Sequence, residues 1–148
     1  MTNKYVEMKN RHQEEVNNFP MFFAFNNKQF DEGMKTLGLD PSETDKIYKL
    51  SNTGGFYRRS DSRALKEMFL RHRQEEADAI AADTTGDGFI YEMFNYELAN
   101  HEYGYTRDLE PTLDALGLTI EEINSNPALS HGLKKARKEQ IAWYNKHY

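Results

Sequence analysis

"LEPTLDALGLTIEE", residues 109–122, carries its own punctuation. Apolar residues at 109, 113, 116 and 118 recur at helical spacing, and Gly117 suits the left-handed residue that closes a helix. Thr119, with Glu122 three residues later, forms a capping box that opens the next helix. The pattern has an echo upstream in "FDEGMKTLGLDPSE", residues 30–43. There the apolar residues fall at the same places, Gly38 stands for Gly117, Asp40 is the N-cap and Pro41 takes the favoured first helical position. Each stretch predicts a helix, a tight turn and a second helix. Such corners occur in DNA-binding and many other helical proteins, so the echo speaks to fold and not to nucleic acid.

Along the rest of the chain the helical period dominates. Residues 4–19 align Tyr5, Met8, His12, Val16 and Phe19, and residues 61–82 align Leu65, Met68, Phe69, His72 and Ala79. "FIYEMFNYELANHEY" (89–103) aligns Ile90, Met93, Phe94, Glu97, Leu98 and His101, and the C-terminal segment aligns Leu129, Leu133, Ala136, Gln140 and Trp143. These read as amphipathic helices. Strand propensity is confined to "MFFAF" (21–25) and "GFYRR" (55–59). The expected fold is all-α, a compact bundle of roughly six to eight helices with short irregular connections and at most a minor β-hairpin. The length of 148 residues fits a single helical domain, 1–148.

Nine Phe, nine Tyr and one Trp against four Pro exclude a disordered chain. The lack of cysteine removes disulfides, thiolate metal sites and cysteine nucleophiles, and suits a reducing cytosol. A polar amino terminus and an apolar stretch no longer than "FPMFFAF" predict neither export nor membrane insertion, which takes about 20 apolar residues. The expected location is therefore cytoplasmic.

The net charge of −5 conceals a division. Residues 1–74 sum to +3, residues 75–122 to −12 and residues 123–148 to +4. The middle block holds thirteen acids against the lone Arg107. Like charges so crowded must be solvated or must meet a cationic partner. Glu92, Glu97, Glu102, Asp108, Glu110, Asp114, Glu121 and Glu122 are the candidate partner-binding face, one that would steer the protein onto a basic surface.

Two other stretches raise chemistry. "DTTGDGFIYEMF" (83–94) resembles a calcium loop, with Asp83, Thr85, Asp87 and the Phe89 carbonyl as oxygen donors, but Phe94 stands where the closing bidentate Glu belongs. The alternative is a glycine-rich connection in which Asp87 caps the following helix. In "TGGFYRRSDSRALK" (53–66), Phe56 and Tyr57 could stack on bases while Arg58, Arg59 and Arg63 meet phosphates, with the basic C-terminal helix in support. That stretch lacks the ending of a phosphate-binding P-loop. Glu97 and His101 lie one helical turn apart, with His72 and Glu75 or Glu76 on another helix. They fall short of the ligand count of a carboxylate-bridged di-metal bundle. No nucleophile–base set is present, so the chain is expected not to be an enzyme and to need no cofactor.

"FPMFFAFNNKQFDEGMKTLGL" (19–39), "GGFYRR" (54–59) and "AADTTGDGFIYEMFNYELANHEYGYT" (81–106) resemble a family of small acidic proteins encoded by phages and mobile elements of gut Firmicutes. That family has no assigned chemistry, so the resemblance implies context alone. Small acidic phage proteins often disable host machines, and inhibitors of CRISPR nucleases are one such group. The expectation is a non-enzymatic anti-defence inhibitor, anti-CRISPR-like, whose acidic surface binds a basic groove of a host protein in the bacterial cytoplasm. The alternatives are a nucleic-acid binder and a degenerate EF-hand-like calcium module.

Overall fold

The structure is a computed structural model and describes residues 3–148. Eight α-helices and three short strands follow one another among the described residues: α1 (Lys4–Asn17), β1 (Met21–Phe23), α2 (Asn27–Thr36), β2 (Ile47–Leu50), β3 (Gly55–Arg58), α3 (Ser62–Ala82), α4 (Phe89–Asn100), α5 (Tyr103–Thr106), α6 (Glu110–Leu116), α7 (Ile120–Asn124) and α8 (Pro127–His147). The fold is mostly α with a minor sheet. The chain divides into two compact units, one made of the chain up to Arg11 with Glu75–Tyr148, the other of His12–Gln74.

In the larger unit α4 is the central element. Ile90, Met93, Phe94 and Leu98 are fully buried, because this helix is apolar on most of its circumference. It packs on Leu129, Leu133 and Ala136 of α8, and Tyr5, Met8, Tyr103 and Ile123 complete the core. Gly132 permits the closest approach: a Cβ there would lie 2.5 Å from Ile90 Cγ2. The α6–α7 corner forms as its sequence predicts. Gly117 closes α6 at φ +65°, and Thr119 and Glu122 complete the reciprocal capping box at the start of α7.

In the smaller unit β1 and β3 form in the two stretches of strand propensity, and the departure is the helix expected after Asp40. Gly38 (φ +75°) does follow α2 as the echo requires. At the predicted capping box the Asp40 N–H donates to Glu43 Oε1, while the Asp40 carboxylate takes the Ser42 N–H. No helix grows from it. After a single 3-10 turn at Thr44–Lys46 the chain becomes β2. Ile47 to Leu50 pair antiparallel with β3, Tyr48 opposite Tyr57, with Ile47 buried and Tyr48 and Lys49 exposed. β1 pairs with the other edge of β3, Phe22 opposite Phe56, giving strand order β1-β3-β2. Phe22, Met34, Leu37 and Ile47 form the core beneath the sheet.

Candidate functional site

The acidic residues separate by environment. Glu97 leaves the expected surface set: it is 2% exposed, within the apolar face of α4. A carboxylate there is tolerable because the Tyr5 hydroxyl donates to Oε2 at 2.5 Å and Lys9 Nζ to the same oxygen at 3.0 Å. Burial first, and then the hydrogen bond to Glu97, raises the Tyr5 pKa far above the usual phenol range. The other seven, Glu92, Glu102, Asp108, Glu110, Asp114, Glu121 and Glu122, are solvent-facing, Glu92 half-buried. None forms an ion pair within 4.0 Å among the described residues. Glu92 accepts the backbone N–H of Lys4 at the start of α1, Asp108 accepts that of Glu110, and Glu122 is held in its capping box. Six of the seven fall within α5, α6, α7 and their connections, residues 102–122. Arg107, the only base of that segment, forms no ion pair among the described residues: its guanidinium donates to Gly104 O and to Asn145 Oδ1.

Beside this segment lies an open groove of about 800 Å³. α5 forms one wall and the end of α8 the other, and the lining includes Glu102, Tyr105, Trp143, Tyr144 and Tyr148. Gly104 sets the spacing, since a Cβ there would lie 3.0 Å from Tyr144 Cβ and 3.1 Å from Gln140 O. Trp143, expected on the buried stripe of α8, is 54% exposed. Ala136 is the last fully buried residue of α8, and beyond it Ile141 packs on the core half-buried.

The calcium-like loop is occupied by its own chain. Asp83 Oδ1 accepts the Gly86 N–H and the Thr85 hydroxyl, and Oδ2 accepts the N–H groups of Gly88 and Ile90, at 3.0–3.2 Å. Asp83, and not Asp87, therefore caps α4. Asp87 instead accepts from His131 Nε2 at 2.8 Å and from Lys135 Nζ at 3.4 Å. Phe89 is 8% exposed and packs against Tyr5. No group of three or more His, Asp or Glu suited to a metal occurs among the described residues.

Partial burial pushes the Asp83 pKa up, but the N–H groups of Ile90, Gly86 and Gly88 outweigh it and hold it below the usual carboxylate value. Its folded pKa is thus depressed. The resulting stabilisation is present above an unfolded carboxylate pKa of about 3.9 and is lost as pH falls through the folded value. Asp83→Ala is expected to cost about 2 kcal/mol near neutral pH, by loss of a multiply bonded cap, equally with and without millimolar calcium. Urea unfolding at pH 7 and pH 3 checks this. The difference between wild type and variant should narrow at the lower pH.

A model of DUF7659, a family of unknown function, matches residues 4–139. The chain belongs to this family. No curated protein and no solved structure matches it. Membership in DUF7659 therefore brings no chemistry, and the reading rests on geometry.

In this DUF7659 member the proposed base-stacking set is built into the sheet. Phe56 stacks on Phe22 at 5.3 Å between ring centroids and meets Phe30 edge-on at 5.2 Å, so its ring is occupied by the core. Tyr57 lies beside Tyr48. Arg58 donates to Asp61 Oδ2 and to Leu37 O, while Arg59 donates to Ile47 O and covers the Tyr48 ring. Arg63, paired with Glu67 along α3, stays exposed. On α8, Lys135 lies over Tyr91 and Arg137 donates to the Tyr103 hydroxyl. His72 pairs with Glu15 and stacks on His12. His101, one turn from Glu97, leaves its buried Nε2 without a hydrogen-bond partner among the described residues. No helix among the described residues is long and apolar enough to cross a membrane.

Proposed function

We propose that the protein is a non-enzymatic, protein-binding module that docks a basic protein surface through its 102–122 segment. The observation that carries this reading is the row of Glu102, Asp108, Glu110, Asp114, Glu121 and Glu122, solvent-facing and without ion-pair partners among the described residues. Charges left uncompensated along one stretch repel one another in the free protein and are relieved by a cationic partner, whose approach they also accelerate. The absence of cysteine fits action in a reducing cytoplasm. The resemblance to small acidic phage proteins makes an anti-defence role, with a CRISPR nuclease as host target, the first partner class to test.

A variant carrying Asp108→Lys, Glu110→Lys, Asp114→Lys and Glu121→Lys should retain the wild-type circular dichroism, because all four side chains are exposed. Used side by side with wild type on bacterial lysate expressing candidate nucleases, it should lose a basic protein that wild type retains at low salt and releases at high salt. Equal retention by both, or wild-type binding to bare DNA or RNA, would reject the reading.

A further inference from the structure

We propose that the groove between α5 and the end of α8 receives an arginine-bearing basic peptide segment of the protein partner; this rests on the docking reading above. Its volume of about 800 Å³ suits a ligand of short-peptide size. The walls supply what a guanidinium needs and a phosphate does not. Tyr105 on α5 and Trp143 and Tyr148 at the end of α8 are 71%, 54% and 84% exposed, with one face of Trp143 stacked on His147 and one of Tyr148 on Tyr144 and the rest of each ring open to solvent. Arginine stacks on such rings through its planar cation. The same chain already shows this contact, since the Arg107 guanidinium lies 5.9 Å from the centroid of Tyr144. Glu102, the only ionised side chain lining the groove, has no ion-pair partner among the described residues and supplies the counter-charge. The acidic 102–122 segment begins at this residue, so a basic segment crossing it can place an arginine on the rings without leaving the negative field. A nucleic-acid strand would stack on the same rings but would bring its phosphates against Glu102.

Trp143 is the only tryptophan of the chain, so its emission reports the groove directly. The full-length protein is titrated with a capped Gly-Arg-Arg-Gly peptide, its Gly-Gln-Gln-Gly counterpart and an oligothymidylate. The expected result is a saturable change with the arginine peptide alone, weakened about fivefold in Glu102→Gln and in Tyr105→Ala, both exposed positions that leave the core intact. An equal response to the glutamine peptide, tighter saturation by the oligonucleotide, a concentration-dependent emission change without peptide, or Glu102→Gln binding as wild type would each overturn the proposal. If the arginine peptide saturates while the four-lysine variant still captures the partner, the docking reading fails and the groove stands. If capture is lost in that variant but the peptide gives no response, the groove fails alone.

Discussion

Gly86→Ala is expected to destabilise the protein by about 3 kcal/mol or more, the sum of left-handed strain and overpacking. Gly86 has φ +84°, a conformation that costs a residue with a Cβ about 1–2 kcal/mol. The added methyl would also lie 2.1 Å from the carbonyl oxygen of Ala128 and 3.1 Å from the backbone nitrogen of Gly132. Neither atom belongs to a side chain that can rotate aside, so relief requires the Asp83–Gly88 loop to move off the first turns of α8. Gly117→Ala is the matched control: φ is +65°, but nothing lies within 4 Å of the new Cβ. It should cost about 1 kcal/mol from backbone strain alone. Urea unfolding of the two variants separates contact from conformation. Equal losses would show that the loop does not abut α8 as described.

Glu97→Ala should cost about 3 kcal/mol, and Glu97→Gln about 1 kcal/mol. The alanine removes a buried side chain and leaves the Tyr5 hydroxyl, on a residue 5% exposed, without its acceptor. Glutamine keeps an acceptor oxygen for Tyr5. What it loses is the charge opposite Lys9, whose side chain is 44% exposed and can turn to water. The ordering Ala below Gln below wild type follows from hydrogen-bond satisfaction outweighing an ion pair with one solvated partner. Thermal unfolding checks it. A glutamine variant as unstable as the alanine variant would mean that charge, and not hydrogen bonding, holds α1 to this site.

Much of the fold was legible because its signals are local. The apolar spacing of Tyr5 with Met8 and of Leu65 with Met68 placed α1 and α3, and the glycine and capping box at 117–122 placed the α6–α7 corner. The same local grammar misled at Asp40, where the capping hydrogen bonds partly form but the following "KIYKL" gains more by pairing with β3 than by coiling. That choice depends on the partner strand at 55–58, which no window over 40–50 contains. In the sequence Glu97 belongs both to an apolar stripe and to an acidic block. The stripe prevailed because Tyr5 and Lys9, distant in sequence, supply the partners that make its burial tolerable. The groove is invisible for a similar reason: Trp143 completes a helical stripe on paper, yet full burial along α8 stops at Ala136 and Trp143 stays exposed. The surplus of aromatics after that point, Trp143, Tyr144 and Tyr148, was the available hint.

Whether residues 102–122 dock the partner is read out by hydrogen–deuterium exchange of the protein, free and bound to the captured partner. Exchange is expected to slow in peptides covering Glu102–Glu122, with β2 and β3 unchanged. Protection confined to the sheet around Arg58 and Arg59, with 102–122 exchanging as in the free protein, would contradict it.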